Sequence, residues 1–445
     1  MEIETSTAAD GLVAGPASPF VLPPDFYRDP QGAYGALRAR GPVNRVAFPD
    51  GSTGWLITGH AEAKAAFGHP GISKRLGSAG ARAALEANNA GHQLQTGPFE
   101  HMLVFYDPPE HTRLRSLLTK AFSTRAVRGL AARVTELADA LLTEMAAAGE
   151  VVDLLDRYAV PLSMSVICEL LGVPDKDRAR FQSWSTVIVS SEHTARDRVT
   201  AATEFVAYID HLIVSRTTEP GADLLSELIA AGADDERLTP RELRSMVLVL
   251  LVAGFETTAN LIGNAVVTLL SDNNSRRRLR GDATRIPAFI EEVLRFRSPT
   301  SETTFRYTTT PITLGGIEIA AGELIVVSVA AAGRDPRRFA DPHRFDIDRP
   351  SNTEHLAFGY GIHFCVGAPL ARMQGRIGLE RLLARYPDLA LSPADEPTWR
   401  TSFAIRGLTA LPVRLHPRSA SVDARGFRTV EHPRPSRCRR GRRGR

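Results

Sequence analysis

Cysteine is scarce in this 445-residue chain: Cys168, Cys365 and Cys438 stand at unrelated spacings. That excludes a disulfide framework and every CxxC zinc or iron–sulfur pattern, and it implies a reducing, cytoplasmic setting. The N-terminal stretch MEIETSTAADGLVAGPASPF carries acids where a secretory leader needs bases, and it has no apolar run of membrane-spanning length. A soluble protein with no membrane partner is expected. Lysine is nearly absent, with Lys64, Lys74, Lys120 and Lys176 the only four among 54 basic residues. Nothing resembles a flavin, nicotinamide or iron–sulfur domain, so redox chemistry would have to draw its electrons from separate proteins.

Positive charge is abundant only at one end. The chain totals +4, yet ten arginines against Asp423 and Glu431 lie between His416 and Arg445. That surplus of eight exceeds the total, so residues 1–415 are net acidic and nucleic acid is not an expected partner. Arginine, proline and glycine without apolar periodicity predict a disordered tail over 416–445. Residues 1–24 read as a mobile N-terminal arm, which leaves 25–415 as one domain, long enough for a large core. Hydrophobic residues at 43% and charged residues at 23% fit a soluble globular protein.

The apolar pattern predicts a mainly α fold with a minor β portion. From about Pro108 to Arg297 the periodicity is helical. Within it, TPRELRSMVLVLLVAGFETTANLIGNAVVTLLS is apolar nearly all round and should form a buried central helix, started by Thr239 with Glu242 close behind. Strands are expected around the turn Pro49-Asp50-Gly51 and around Gly315-Gly316.

The chemistry concentrates in HLAFGYGIHFCVGAPLAR, residues 355–372. Gly359, Gly361 and Gly367 permit sharp backbone bends, and Ala368-Pro369 opens a helix whose N-terminal dipole favours a thiolate at Cys365. Such a thiolate suits a haem iron, with Phe358 placed to shield the sulfur. The spacing Phe358-Gly359-x-Gly361-x-His363-x-Cys365-x-Gly367 resembles the haem-binding signature of the cytochrome P-450 family, especially its soluble actinobacterial macrolide- and polyketide-tailoring hydroxylases. The resemblance implies the family's prism-shaped fold, noncovalent haem b and a haem-thiolate monooxygenase with Cys365 as the metal ligand.

Other motifs follow in the order that family requires. Glu292 and Arg295 in EEVLR match its structural Glu-x-x-Arg pair. Thr257 lies four residues after Ala253, so its hydroxyl can bond that carbonyl and loosen the central helix. Glu256 and Thr257 match the acid and alcohol that supply protons to dioxygen, while Thr258 is expected to pack. His111, Arg115, Arg306 and His363 match positions that bind the haem propionates, and Gly359 belongs to the cofactor loop. In GRDPRRFADPHRFDIDRP, Gly333 stands where the family usually has asparagine. Family positions for substrate contact fall at Val252, Ala253, Thr300, Glu302, Phe403 and Ala404, with Glu86 and Glu100 as further carboxylates on a long loop.

The reaction so implied inserts one oxygen atom of O2 into a C–H or C=C bond of a secondary metabolite, a macrolide or polyketide in the first instance. Electrons would come from a ferredoxin and an NAD(P)H-ferredoxin reductase, drawn by Arg113, Arg372 and Arg376. The alternatives are a smaller terpenoid or fatty-acid substrate, a peroxide-driven peroxygenase, or a non-enzymatic haem-binding sensor.

Overall fold

A computed structural model describes residues 18–88, 101–189, 193–231, 238–393 and 396–415. The tail over 416–445 lies outside the described residues. The N-terminal arm does so only up to residue 17: Phe20 and Val21 already form a strand, and Leu22 is buried. The folded part therefore begins no later than Phe20 rather than at 25.

The strands are β1 (Phe20–Val21), β2 (Val43–Ala47), β3 (Thr53–Ile57), β4 (Ile72–Ser73), β5 (Val151–Asp153), β6 (Arg306–Thr308), β7 (Ile312–Leu314), β8 (Ile317–Ile319), β9 (Leu324–Val327), β10 (Ala390–Leu391) and β11 (Pro412–Arg414). Six of them form one sheet in the order β1-β2-β3-β9-β6-β4. The β2–β3 hairpin is antiparallel, closed by Gly51 at φ 84° and by Asp50, whose carboxylate accepts from the Ser52 amide and hydroxyl. Gly315 and Gly316, at φ 58° and 80°, turn β7 into β8. Both turns fall where the sequence places them, because left-handed backbone is cheap for glycine.

The rest is helical. Thr239 starts the central helix with a capping box, its hydroxyl accepting from the Glu242 amide while the Glu242 carboxylate accepts from the Thr239 amide. The helix is interrupted at Phe255, giving Pro240–Gly254 and Glu256–Ser271. The whole stretch Pro240–Ser271 is long and apolar enough to cross a membrane, but most of it is buried inside the protein. Its second half packs against the helices Val160–Leu170, Ile286–Phe296 and Ala368–Arg385.

One polar knot joins these helices to the sheet side. Arg295 is fully buried and meets Glu292 in two parallel bonds of 2.7 and 2.8 Å. Its remaining N–H groups donate to the carbonyls of Gly333, Pro342 and Arg344. Glu292 also accepts from the Asp346 amide and from Arg349. Gly333 has a steric reason for replacing a larger residue, since a Cβ there would lie 2.6 Å from the Arg295 carbonyl oxygen.

Removing Glu292 leaves two buried guanidinium groups without their anion, a loss of about 3–5 kcal/mol. Glu292→Ala should therefore give a protein that unfolds at much lower urea concentration and purifies largely without haem. A denaturation midpoint equal to wild type would show that the knot carries no stability.

Candidate functional site

The central helix, the helix Glu110–Ala121 and the loop 355–367 enclose a cavity of about 340 Å³. On one side lies Cys365. Gly359 and Gly361 take φ values of 72° and 73°, which fold the loop so that the Cys365 amide donates to the Phe358 carbonyl at 2.9 Å. Cys365 is exposed to the cavity while protein encloses it on the other sides. The helix expected to follow runs over Ala368–Arg385, with Pro369 in its first turn. Its charge effect is weaker than the sequence suggests. Burial pushes the Cys365 thiol up, against the opposing pull of the Gly367 and Ala368 amides, Arg115 and Arg372. Holding a thiolate here thus calls for a cation at the sulfur as well as the helix end.

Facing the sulfur is the break in the central helix. Thr257 Oγ1 donates to the Ala253 carbonyl at 2.8 Å, the i−4 bond expected from the spacing. Thr258 does the same to Gly254 at 3.1 Å and also lines the cavity, so it does more than pack. Glu256 is buried and turned away from the cavity lining, where Arg400 forms an ion pair with one of its oxygens. Its other oxygen has no partner among the described residues. Burial pushes Glu256 up to about 7 in spite of Arg400. The sequence reading missed Arg400 because it comes from a turn 144 positions away.

A third wall is cationic. His111 and His363 lie in contact with ring centroids 4.2 Å apart and their planes tilted by 53°, and Arg115 donates to the Phe364 carbonyl. Arg306 is buried, bonds the Thr303 hydroxyl and the Thr304 carbonyl, and lies 4.6 Å over the Phe67 ring. Lys74 is also buried here, donating to Thr304 Oγ1 at 2.7 Å. Its one sequence signal was rarity, a lysine kept in a chain that otherwise writes arginine. None of these five groups forms an ion pair among the described residues. Asp107 acts on them only through space, while bonded to the Ser73 hydroxyl and the Lys74 amide. Burial and the neighbouring cations push His111 down to about 4 and His363 to about 2; burial lowers Arg306 to about 10. His363 Nε2 is buried without a partner among the described residues. Such a wall is built for a missing anion.

The proposed substrate positions divide. Ala253 and Thr300 line the cavity, together with Leu103, Val104, Leu250 and Pro299. Val252 lies against the core instead. Glu302 is buried behind the wall, accepting from the Tyr34 and Ser328 hydroxyls, so it cannot meet a ligand. Phe403 packs in a separate aromatic group with Tyr27, Phe48 and Phe305. Ala404 is held by its carbonyl to the Ser301 amide. Here strand pairing decides which face points inward, and a motif match cannot supply that. Glu86 is exposed on the helix Ala79–Asn88, and Glu100 lies outside the described residues. No carboxylate lines the cavity among the described residues.

Comparison with known proteins agrees with this geometry. The family model for Cytochrome P450 matches residues 177–404. The chain is 42% identical to a vitamin D(3) 25-hydroxylase of Pseudonocardia autotrophica, covering 89% of this chain and 96% of that one. It is 41% identical to the 6-deoxyerythronolide B hydroxylase of Saccharopolyspora erythraea, over 88% and 96%. The structure of the tirandamycin C-bound P450 monooxygenase TamI superposes with a TM-score of 0.81 at 38% identity, covering 89% of this chain and all of that one. The chain belongs to the cytochrome P450 family. It is a haem monooxygenase, and its cofactor is haem b. The cavity fits that group, with a sulfur at one wall and an unpaired cationic cluster for two carboxylates.

Lys74→Met tests the cationic wall. Losing one unpaired buried charge should raise the melting temperature of the apoprotein, while haem transfers to apomyoglobin several times faster. Unchanged haem transfer would remove Lys74 from the cofactor's surroundings.

Proposed function

We propose that the enzyme oxygenates a bulky, neutral secondary metabolite of the polyketide or macrolactone type, with electrons delivered by a ferredoxin and its reductase in the cytoplasm. The observation that carries the substrate class is the cavity wall away from the cationic side: Leu103, Val104, Leu250, Ala253 and Pro299, with no carboxylate among the described residues. The ligands named for the relatives, 6-deoxyerythronolide B, tirandamycin C and vitamin D(3), are all bulky.

In this reading Cys365 would hold the haem iron through its sulfur, with Phe358 and Gly359 shaping the loop around it. Lys74, His111, Arg115, Arg306 and His363 bind the two propionates. Bound there, the haem supplies dioxygen activation and oxygen transfer, and the remaining tasks fall to the chain. Ala253, Thr300 and their apolar neighbours hold the substrate and exclude water. Thr257 presents a hydroxyl at the opened helix, and Glu256 passes protons toward it from the side of Arg400. A carboxyl group titrating near pH 7 is suited to that step, because it is both loaded and willing to give.

A ferredoxin would dock around the cysteine loop, where Tyr360, Ile362 and Phe364 are exposed. Arg113, Arg372 and Arg376 are poorer attractors than the sequence suggests, since they pair with Glu242, Glu291 and Glu380.

Two variants separate the roles. Cys365→Ala should lose the long-wavelength absorption of the reduced, carbon-monoxide-bound protein. Thr257→Ala should keep it, yet divert NADPH consumption to hydrogen peroxide. In the wild type, product per NADPH should decline as pH rises through about 7, because Glu256 then loses the proton it donates; Glu256→Gln should flatten that profile. A pH-independent wild-type ratio would reject the assignment.

Substrate class is read from the shift of the haem from low to high spin. Neutral macrolactones should produce it at lower concentration than amino-sugar macrolides, camphor-sized terpenes or lauric acid. The reverse order across a matched panel would point to the smaller or cationic ligands.

A further inference from the structure

A second cavity, about 210 Å³, lies behind the segment Phe296–Ser301, whose other face supplies Pro299 and Thr300 to the haem cavity. Its walls hold three arginines: Arg297, Arg334 and Arg406. All three are stacked on aromatic rings. Arg334 sits 3.6 Å over Phe296, while Arg297 and Arg406 lie on Trp399 at 5.3 and 4.4 Å. Stacking fixes the planes of the guanidinium groups without using their N–H donors.

None of the three forms an ion pair among the described residues. Arg334 is 92% buried, since 8% of its surface is exposed, and its Nε has no partner; neither has the Nε of Arg297. Arg334 otherwise donates to the Phe296 carbonyl and faces His343 Nδ1, and Arg406 donates to the Arg28 carbonyl. Arg38, with one nitrogen unpartnered among the described residues, adds a fourth positive charge nearby. The carboxylates of Asp29 and Glu302 act on Arg406 only through space, and Glu302 is already bonded to Tyr34 and Ser328. Burial, with repulsion from Arg295, Arg297 and Arg38, holds Arg334 down to about 9; burial and Arg406 lower Arg297, and burial alone lowers Arg406. Converging, oriented and unneutralised guanidinium groups in a closed space are the donor set of an anion receptor.

We propose that this cavity is a binding site for a phosphoryl oxyanion, separate from the haem cavity. Phosphate matches the site because its oxygens accept from several guanidinium forks at once and its charge offsets theirs. Bound there, it braces the joint between Phe296–Ser301 and the turn carrying Trp399 and Arg406, whose amide already bonds the Pro299 carbonyl.

The test uses the full-length holoenzyme at constant ionic strength, titrated with inorganic phosphate, with glycerol 3-phosphate and with sodium chloride as the control. Calorimetry should show saturable binding of one phosphoryl anion, accompanied by a change in tryptophan emission that Trp399→Phe removes. Arg297→Gln should weaken binding at least tenfold while the carbon-monoxide spectrum stays normal, because the Arg297 side chain makes no hydrogen bond among the described residues, and its backbone bonds to Val293 and Asn264 survive the substitution. The variant should also melt higher than wild type without phosphate and gain less from its addition. If the ester binds and free phosphate does not, the ligand is a phosphorylated metabolite; the opposite identifies the free ion, and either supports the site. No saturable binding to wild type, or equal binding to Arg297→Gln, as attachment to the arginine-rich tail would give, overturns it.

Discussion

Two adjacent carboxylates, Glu291 and Glu292, hold the haem side of this protein together. Glu292 faces inward and binds Arg295 and Arg349, which tie the helix Ile286–Phe296 to the chain between Gly333 and Arg349. Glu291 faces the other way and binds His355 and Arg372, the first residue of the cysteine loop's segment and one in the helix that follows it. Burial opposes its ionisation, yet the bonds from His355 and Arg372 hold it down to about 2, so it stays charged at neutral pH. Both ends of the loop that presents Cys365 are thus anchored to one turn of helix. Buried ion pairs of this kind gain little over apolar packing, but they define one arrangement and penalise others.

The same logic, inverted, marks the places meant for ligands. A folded chain tolerates buried cations without anions only where something else completes them or where other contacts absorb the cost. Two such clusters exist among the described residues. One, Lys74 and Arg306 beside the neutral imidazoles of His111 and His363, borders the cavity that holds Cys365. The other, around Arg297, Arg334 and Arg406, borders a separate cavity that mixes these arginines with the rings of Phe296 and Trp399. The two lie on opposite faces of the same short segment, so occupation of either affects the wall they share. Glu256 is a third case of incomplete pairing: Arg400 satisfies one oxygen and leaves the other open. A half-satisfied carboxyl is poor for stability and useful for moving protons.

Much of this was legible in the sequence because it rests on short spacings. The bends at Gly359 and Gly361, the four-residue step from Ala253 to Thr257, the three-residue step from Glu292 to Arg295, and the turns at Gly51 and Gly315 are local geometry, and these fold as read. The chain's membership in the cytochrome P450 family follows from the same short motifs and brings the haem with it. The interruption at Phe255 was only partly foreseen, since a hydroxyl bond to a carbonyl loosens a helix without saying where it breaks.

What the sequence by itself determined, then, was the fold class, the cofactor and the residues within one turn or one loop of each other. Tertiary structure decided everything that depends on chain segments meeting from afar. It brought Lys74 and Arg400 to the site, sent Glu302 and Phe403 into the core that holds Tyr34 and Tyr27, and gathered three arginines from positions 297, 334 and 406 around Phe296 and Trp399. The reason is physical. Periodicity and spacing record what a backbone does with its own neighbours, whereas the direction of a side chain on a short strand or turn is set by the partner it pairs with, and that partner lies elsewhere in the chain.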